Sequence, residues 1–278
     1  MSIRSWNSTL IIRLILIVFA AVNIYPVLFT VFTSLKTTEE FYSNLWSFPS
    51  QIHLENYIQA FKVGRLGDYF FNSIVIVVVT LLAATVLATF AAYALARLQV
   101  PFTGAIVGIL FILMILPAES MIIPLYMMMS KLKMFQVVYI PIVVVYVGWL
   151  LPGTIVILRN FFLSIPGELL ESARIDGCSE FGTMFRIVFP LSGAAIATCT
   201  VFNFGFAWGE LMWAQIATLT TDKGVPISVG LINFQGQYTT NWPLMTAGMC
   251  MVLLPLIVLF IFLQKYFVQG LTSGAVKG

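Results

Sequence analysis

Residues 70–96 read FFNSIVIVVVTLLAATVLATFAAYALA, with no charged side chain among them. A membrane-spanning helix needs about 20 consecutive apolar residues to cross a hydrocarbon layer roughly 30 Å thick, and this run is long enough. Similar uncharged or nearly uncharged runs recur along the chain. Together they predict helices over 10–35, 70–96, 104–130, 139–159, 191–219 and 244–265. The composition agrees: of 278 residues, 60% are apolar and 9% charged, with mean hydropathy +1.00, too few polar side chains to cover a soluble domain. Lipid offers no partner to a backbone amide, so each must be bonded within the chain, and the alternating strands of a barrel are missing. The expectation is an all-α polytopic membrane protein with six transmembrane helices, forming one domain over 1–278.

Orientation follows from the basic residues of the short loops. Arg4, Arg13, Arg97, Arg159, Arg174, Arg186, Lys265 and Lys277 fall on one side, and Lys36, Lys62, Arg65, Lys131, Lys133 and Lys223 on the other. Nearly all the arginines share the first side, which predicts that both termini are cytoplasmic. The first run follows Arg4 and Arg13 as a signal peptide would, but it is longer than such a core and lacks a small-x-small cleavage site, so it reads as retained. Cys178, Cys199 and Cys250 fit neither a disulfide frame nor a zinc spacing and read as small buried residues.

Three stretches between the helices are long enough to carry function: 36–69 and 220–243 outside, and 159–190 inside, with the coupling loop proper at 160–190. The inner one holds the densest charge in the chain, Arg159, Glu168, Glu171, Arg174, Asp176, Glu180 and Arg186. Pro166 suits a helix start, where its missing N–H would be unbonded anyway, and Glu168 and Glu171 then meet the positive end of the helix dipole. Gly177 ends that helix, and Ser179 caps a second short one leading to Pro190. Leu169, Leu170 and Ala173 form a small apolar patch on the first. It is either a partner surface or a face packed under the chain's own membrane helices.

The same loop reads Glu171-Ser172-Ala173, three residues, Gly177, nine residues, Ile187, one residue, Phe189-Pro190. This resembles the cytoplasmic signature of binding-protein-dependent ABC importer permeases, Glu-Ala-Ala, x3, Gly, x9, Ile, x, Leu-Pro, with Ser172 and Phe189 as its departures. Over nearly the whole chain the resemblance is to carbohydrate permeases of the maltose type, on the side of the smaller permease subunit. The resemblance implies that Leu169, Leu170, Glu171, Ser172, Ala173, Asp176 and Gly177 dock in a groove of a cytoplasmic ATPase. It also implies that the tail 266–278, through Leu271, Thr272, Ser273 and Gly274, reaches the ATPase interface, and that Gln235, Gly236, Gln237 and Tyr238 meet an extracytoplasmic sugar-binding protein.

The partners so implied are a homologous second permease subunit, two P-loop ATPase subunits, the sugar-binding protein and membrane lipid, with no nucleic acid, in a bacterial or archaeal cytoplasmic membrane. The implied cargo is a disaccharide or oligosaccharide, with glycerol-3-phosphate-type compounds as the alternative. The sequence has no G-x-x-x-x-G-K-[ST] loop, so ATP and Mg are expected on the partner ATPases, and this chain is expected to be non-catalytic, without a cofactor or a metal.

Polar groups inside the apolar runs are few, and each calls for a role. Asn203, Ala207 and Glu210 share a face of the predicted fifth helix, with Phe206 and Trp213 at its margin; this face either lines a path for substrate or bonds between helices. Glu119 follows Pro117, which loosens its helix, and either faces the path or caps a kink. His53 has no second ligand nearby and reads as solvated. Tyr25, Trp46, Tyr139, Trp149 and Trp242 read as an interfacial aromatic belt. An ion-coupled transporter would show an internal repeat or a charged relay, and an intramembrane enzyme a His cluster or Gly-x-Ser-x-Gly turn. No internal repeat, His cluster or Gly-x-Ser-x-Gly turn is evident, and both an ion-coupled transporter and a structural scaffold leave the inner motif unexplained.

Overall fold

The computed structural model describes the backbone of residues 3–62, 64–236 and 240–275, with side chains for 10–62, 64–236 and 240–265. Among the described residues the chain is helical, and one isolated antiparallel bridge joins Gln235 and Thr240. Four helices are long and apolar enough to cross a membrane, or up to six if each of two bent helix pairs is one span. The chain divides into two compact units, with the last of the three boundaries between them falling inside the last helix.

The first unit comprises Met1–Gly67 and Gly230–Leu254. It holds α1 (Ile3–Ser34), α2 (Thr38–Ser43), α3 (Glu55–Lys62) and the first part of the last helix. The most apolar window of α1 buries none of its residues within the chain, as expected of a helix solvated by lipid or by a partner. After it the chain is pinned by polar contacts. Thr37 caps α2 by accepting from Glu40 N. The buried Lys36 ammonium donates to Asn44 O (3.1 Å), Leu45 O (3.2 Å) and Ser47 Oγ (3.2 Å). Each of its three protons thus has an acceptor, which is what makes a buried ammonium tolerable.

The second unit comprises Asp68–Val229 and Pro255–Gly278. Its helices are α4 (Leu66–Arg97), α5 (Thr103–Ile115), α6 (Ile122–Lys131), α7 (Ile140–Ser164), α8 (Gly167–Ile175), α9 (Glu180–Thr183), α10 (Phe189–Leu191), α11 (Gly193–Gly209), α12 (Met212–Ala217) and α13 (Ile227–Gly230), followed by the end of α14 (Trp242–Ala275). The central helix is α7, whose most apolar window is 61% buried. Around its second half Tyr93, Phe162, Leu170, Met184 and Cys199 form one apolar cluster, so α4, α7, α8 and α11 share a core. Near its start, Tyr139 donates to Asn72 Oδ1 (2.7 Å), Asn72 donates to Val225 O (2.9 Å), and Ser73 Oγ accepts from Ile227 N (2.8 Å). These bonds fix the loop after α12 to the beginning of α4.

Three predicted helices differ from the structure. The segment 104–130 is not one straight helix: α5 and the following Ala118–Lys131 are bent by 94°. Pro117 lacks an N–H and disfavours helical backbone at the residue before it, and Leu116 is accordingly extended, with ψ 124°. The segment 191–219 breaks at Glu210, which is extended (ψ 129°) between α11 and α12. The last helix does not stop at 265; its backbone stays helical to Ala275, through most of the segment read as a tail.

Candidate functional site

The charged stretch between α7 and α11 is built by local rules. Ile165 and Pro166 leave α7 in extended backbone, and α8 begins with Glu168 in its first turn and ends with Arg174 in its last, each favoured there by the helix dipole. Gly177 then takes φ +83°, the left-handed region where a side chain is strained. Cys178 N donates to Ala173 O (2.9 Å) and Gly177 N to Arg174 O (3.0 Å), the paired bonds of a Schellman end. Ser179 Oγ accepts from Gly182 N (3.2 Å) and caps α9.

This arrangement sorts the expected docking residues into two sets. Leu170, 3% exposed, and Ala173 turn inward against the core, which is the packing alternative for those two. Leu169, Glu171, Ser172, Asp176 and Gly177 are exposed. The outward apolar surface is completed by Ile175, 86% exposed, with Phe181 and Phe185 exposed on the next turns. The sequence reading missed these three. For Ile175 a signal existed: at about 100° per residue it lies roughly 140° around the helix from Leu170.

Polar bonds tie this region to the membrane helices. Tyr93 of α4 donates its hydroxyl proton to Glu180 Oε2 (2.8 Å), and Arg174 Nε donates to Glu180 Oε1 (2.9 Å). The bond from Tyr93, then that from Arg174, holds the Glu180 carboxyl below its ordinary value despite some opposing desolvation. Beside them the arginines at the ends of two membrane helices cap each other's helix. Arg97 at the end of α4 donates to the carbonyls of Phe162 and Ile165, and Arg159 of α7 donates from Nε to Leu95 O (3.3 Å). Terminal carbonyls need such donors.

The membrane-level residues do not form one open face. Asn203 is buried and donates to Thr154 Oγ1 of α7 (3.0 Å). Trp213 is buried and donates from its indole to Pro141 O (3.0 Å). Glu210 lies off the helix that carries Asn203; its Oε1 accepts from Trp213 N (2.8 Å) and its Oε2 from Ala214 N (3.1 Å) and the Tyr146 hydroxyl (2.7 Å). Phe206 meets Tyr146 and Trp149 edge to face and, with Trp149, Met114 and Met121, lines a cavity of about 500 Å³. Glu119 is exposed on the single turn at the α5–α6 bend.

In the loop before α14, Gln235 pairs with Thr240 across the bridge and Gly236 follows it; Gln237 and Tyr238 lie outside the described residues. Leu271, Thr272, Ser273 and Gly274 lie on the helical backbone of α14, their side chains outside the described set, as are residues 276–278. Among the described residues no group of three or more His, Cys, Asp or Glu is placed to hold a metal ion.

The family described as "Binding-protein-dependent transport system inner membrane component" matches residues 84–273, which include the whole of α7 to α13 and the motif at 171–190. The chain belongs to this family. As a member it is an ABC-importer permease component, and the exposed α8 lies within the stretch that defines the family. It is 35% identical, over 273 residues and 98% of each chain, to the melibiose/raffinose/stachyose import permease protein MelC of Bacillus subtilis (strain 168). The permease fold is shared with a bacterial ABC transporter involved in import of the acidic polysaccharide alginate, at TM-score 0.82 and 20% identity over 96% of this chain and 99% of that one. A second structure of an alginate ABC transporter, in complex with an alginate pentasaccharide-bound periplasmic protein, matches at TM-score 0.70 and 14% identity over 94% and 93%.

Proposed function

We propose that this permease carries a disaccharide or short oligosaccharide inward, driven by ATP hydrolysis on other subunits. The observation that carries the reading is α8: a rigidly ended, charged helix with outward Leu169, Glu171 and Ile175, set on the membrane core of a family member. Its exposed face docks in a groove of a P-loop ATPase. ATP and Mg are held there, on two such subunits, and this chain is non-catalytic. Closure of the ATPase pair pushes on α8 and rocks the membrane helices toward the outward-open state.

In this reading α1, α4, the bent α5–α6 pair, α7, the α11 region and α14 are six spans with both termini cytoplasmic, in a bacterial or archaeal cytoplasmic membrane. The chain pairs with a homologous second permease. The turn at Gln235, Gly236, Gln237 and Tyr238 meets an extracytoplasmic sugar-binding protein, and Leu271, Thr272, Ser273 and Gly274 touch the ATPases. Phe206 and Glu119, not engaged as tightly as Asn203, Glu210 and Trp213, are the nearer candidates for the sugar path. The carbohydrate cargo is supported by the likeness to the melibiose/raffinose/stachyose permease.

The test is to isolate the chain from its native membrane with whatever accompanies it, and to measure ATP hydrolysis with melibiose, raffinose and maltose in the presence of the binding protein. Recovery of an ATPase and a second permease with sugar-stimulated hydrolysis supports the reading; a lone chain that transports without ATP overturns it.

A further inference from the structure

Glu180 belongs to none of the motif positions that define the inner loop, yet its carboxylate spends one oxygen on each of two bodies. Oε1 accepts from Arg174 on α8, and Oε2 accepts from Tyr93 on α4, 87 residues away in sequence. We infer that Glu180 is a positioning residue, a strut that makes α8 and α4 move as one body so that a push on α8 enters the membrane core. The inference rests on the function proposed above and names the residue through which that coupling passes.

The geometry argues for a strut because the other tie between α8 and α4, the core they share, is apolar and non-directional. The helix is bounded by Pro166 and by Gly177 in left-handed backbone. Its own buried residues are Leu170 and Ala173, whose apolar packing has no preferred direction. Hydrogen bonds to a carboxylate are directional and stronger than neutral ones. Tyr93 is buried in the apolar cluster, so the donor's end of this bond is shielded from water while the Glu180 side chain stays 43% exposed. The Arg174 arm is exposed and contributes orientation more than stability. Above the strut, the reciprocal caps of Arg97 and Arg159 join the end of α4 to the end of α7. A load taken up at Tyr93 is therefore carried by two membrane helices.

The experiment uses the full complex with its ATPases and binding protein in sealed vesicles, with ATP hydrolysis and sugar uptake measured together. Tyr93→Phe removes only the hydroxyl and keeps the buried ring; Glu180→Ala removes both arms. For both, uptake per ATP hydrolysed should fall by about fivefold or more, the low end of coupling between linked sites, with hydrolysis and the yield of assembled complex retained. Glu180→Gln keeps an acceptor for Tyr93 and should fall between them and the parent. Unchanged stoichiometry in Tyr93→Phe overturns the strut, and so does an equal loss of uptake and hydrolysis, the mark of a purely structural role. If the parent complex shows no ATP-driven uptake, the functional reading has failed, and the strut with it.

Discussion

Replacing Glu210 tests whether the break between α11 and α12 is held by its carboxylate. Glu210→Ala removes the acceptor for the Trp213 and Ala214 amides, a loss of helix capping costing about 0.5–2 kcal/mol. It also leaves the Tyr146 hydroxyl, on a side chain 1% exposed, with only a long 3.4 Å contact to Glu210 O; an underused buried donor costs about 1–3 kcal/mol. The sum is roughly 1.5–5 kcal/mol, or about 3–20 °C in apparent unfolding temperature at about 2–4 °C per kcal/mol. Glu210→Gln keeps one oxygen for Trp213 N, and its amide can donate to the Tyr146 oxygen, but Ala214 N loses its acceptor, so it should lose about 1 kcal/mol. The assay is thermal unfolding of the purified protein in detergent, read by a thiol-reactive fluorophore as buried Cys199 becomes accessible. Apparent sugar affinity is measured alongside and should be unchanged in Glu210→Gln. Unfolding of Glu210→Ala at the parent temperature would refute the cap. If sugar affinity also changed, the carboxylate would face the sugar path.

Gly177→Ala meets no atom within 4 Å of the added Cβ, so its cost is backbone strain at φ +83°, about 1–2 kcal/mol. Gly177→Pro cannot adopt that angle and should reach the membrane yet uncouple hydrolysis from uptake, whereas normal uptake would count against α8 docking. Because Glu180's carboxyl is held low in the folded state, its stabilisation is present above its unfolded pKa and is lost as pH falls through the lowered folded value. With the side chain 43% exposed the effect should be under about 1 kcal/mol, seen as a steeper loss of stability on acidification than in Glu180→Gln; parallel curves would deny it. Deleting residues 271–278 should lower uptake or alter ATPase regulation, and an unchanged rate would reduce that end of α14 to a passive extension.

What was legible in the residue order was whatever neighbours in sequence decide. The apolar runs at 70–96 and 139–159 became α4 and α7 because hydropathy and internal bonding are satisfied within one helix. Gly177 and Ser179 end and begin helices because their partners lie within five residues. Pro117 announced a disturbance, since a missing N–H is a local fact.

Tertiary structure decided the rest. The size of the bend at Pro117 was not written in the proline itself. Leu170 and Leu169 are adjacent leucines, and only the core formed by Tyr93, Phe162 and Met184 buries one and leaves the other outside. Glu210 looked like a helical residue on the face of Asn203 until Tyr146, 64 positions away, and the next helix's amides took up its oxygens. Glu180 was one acid in a charged loop until α4 brought Tyr93 to it. Hydropathy and capping act over a turn or two of chain, and one sequence suffices to read them. Which polar group meets which across the fold depends on packed surfaces that exist only once the helices have come together.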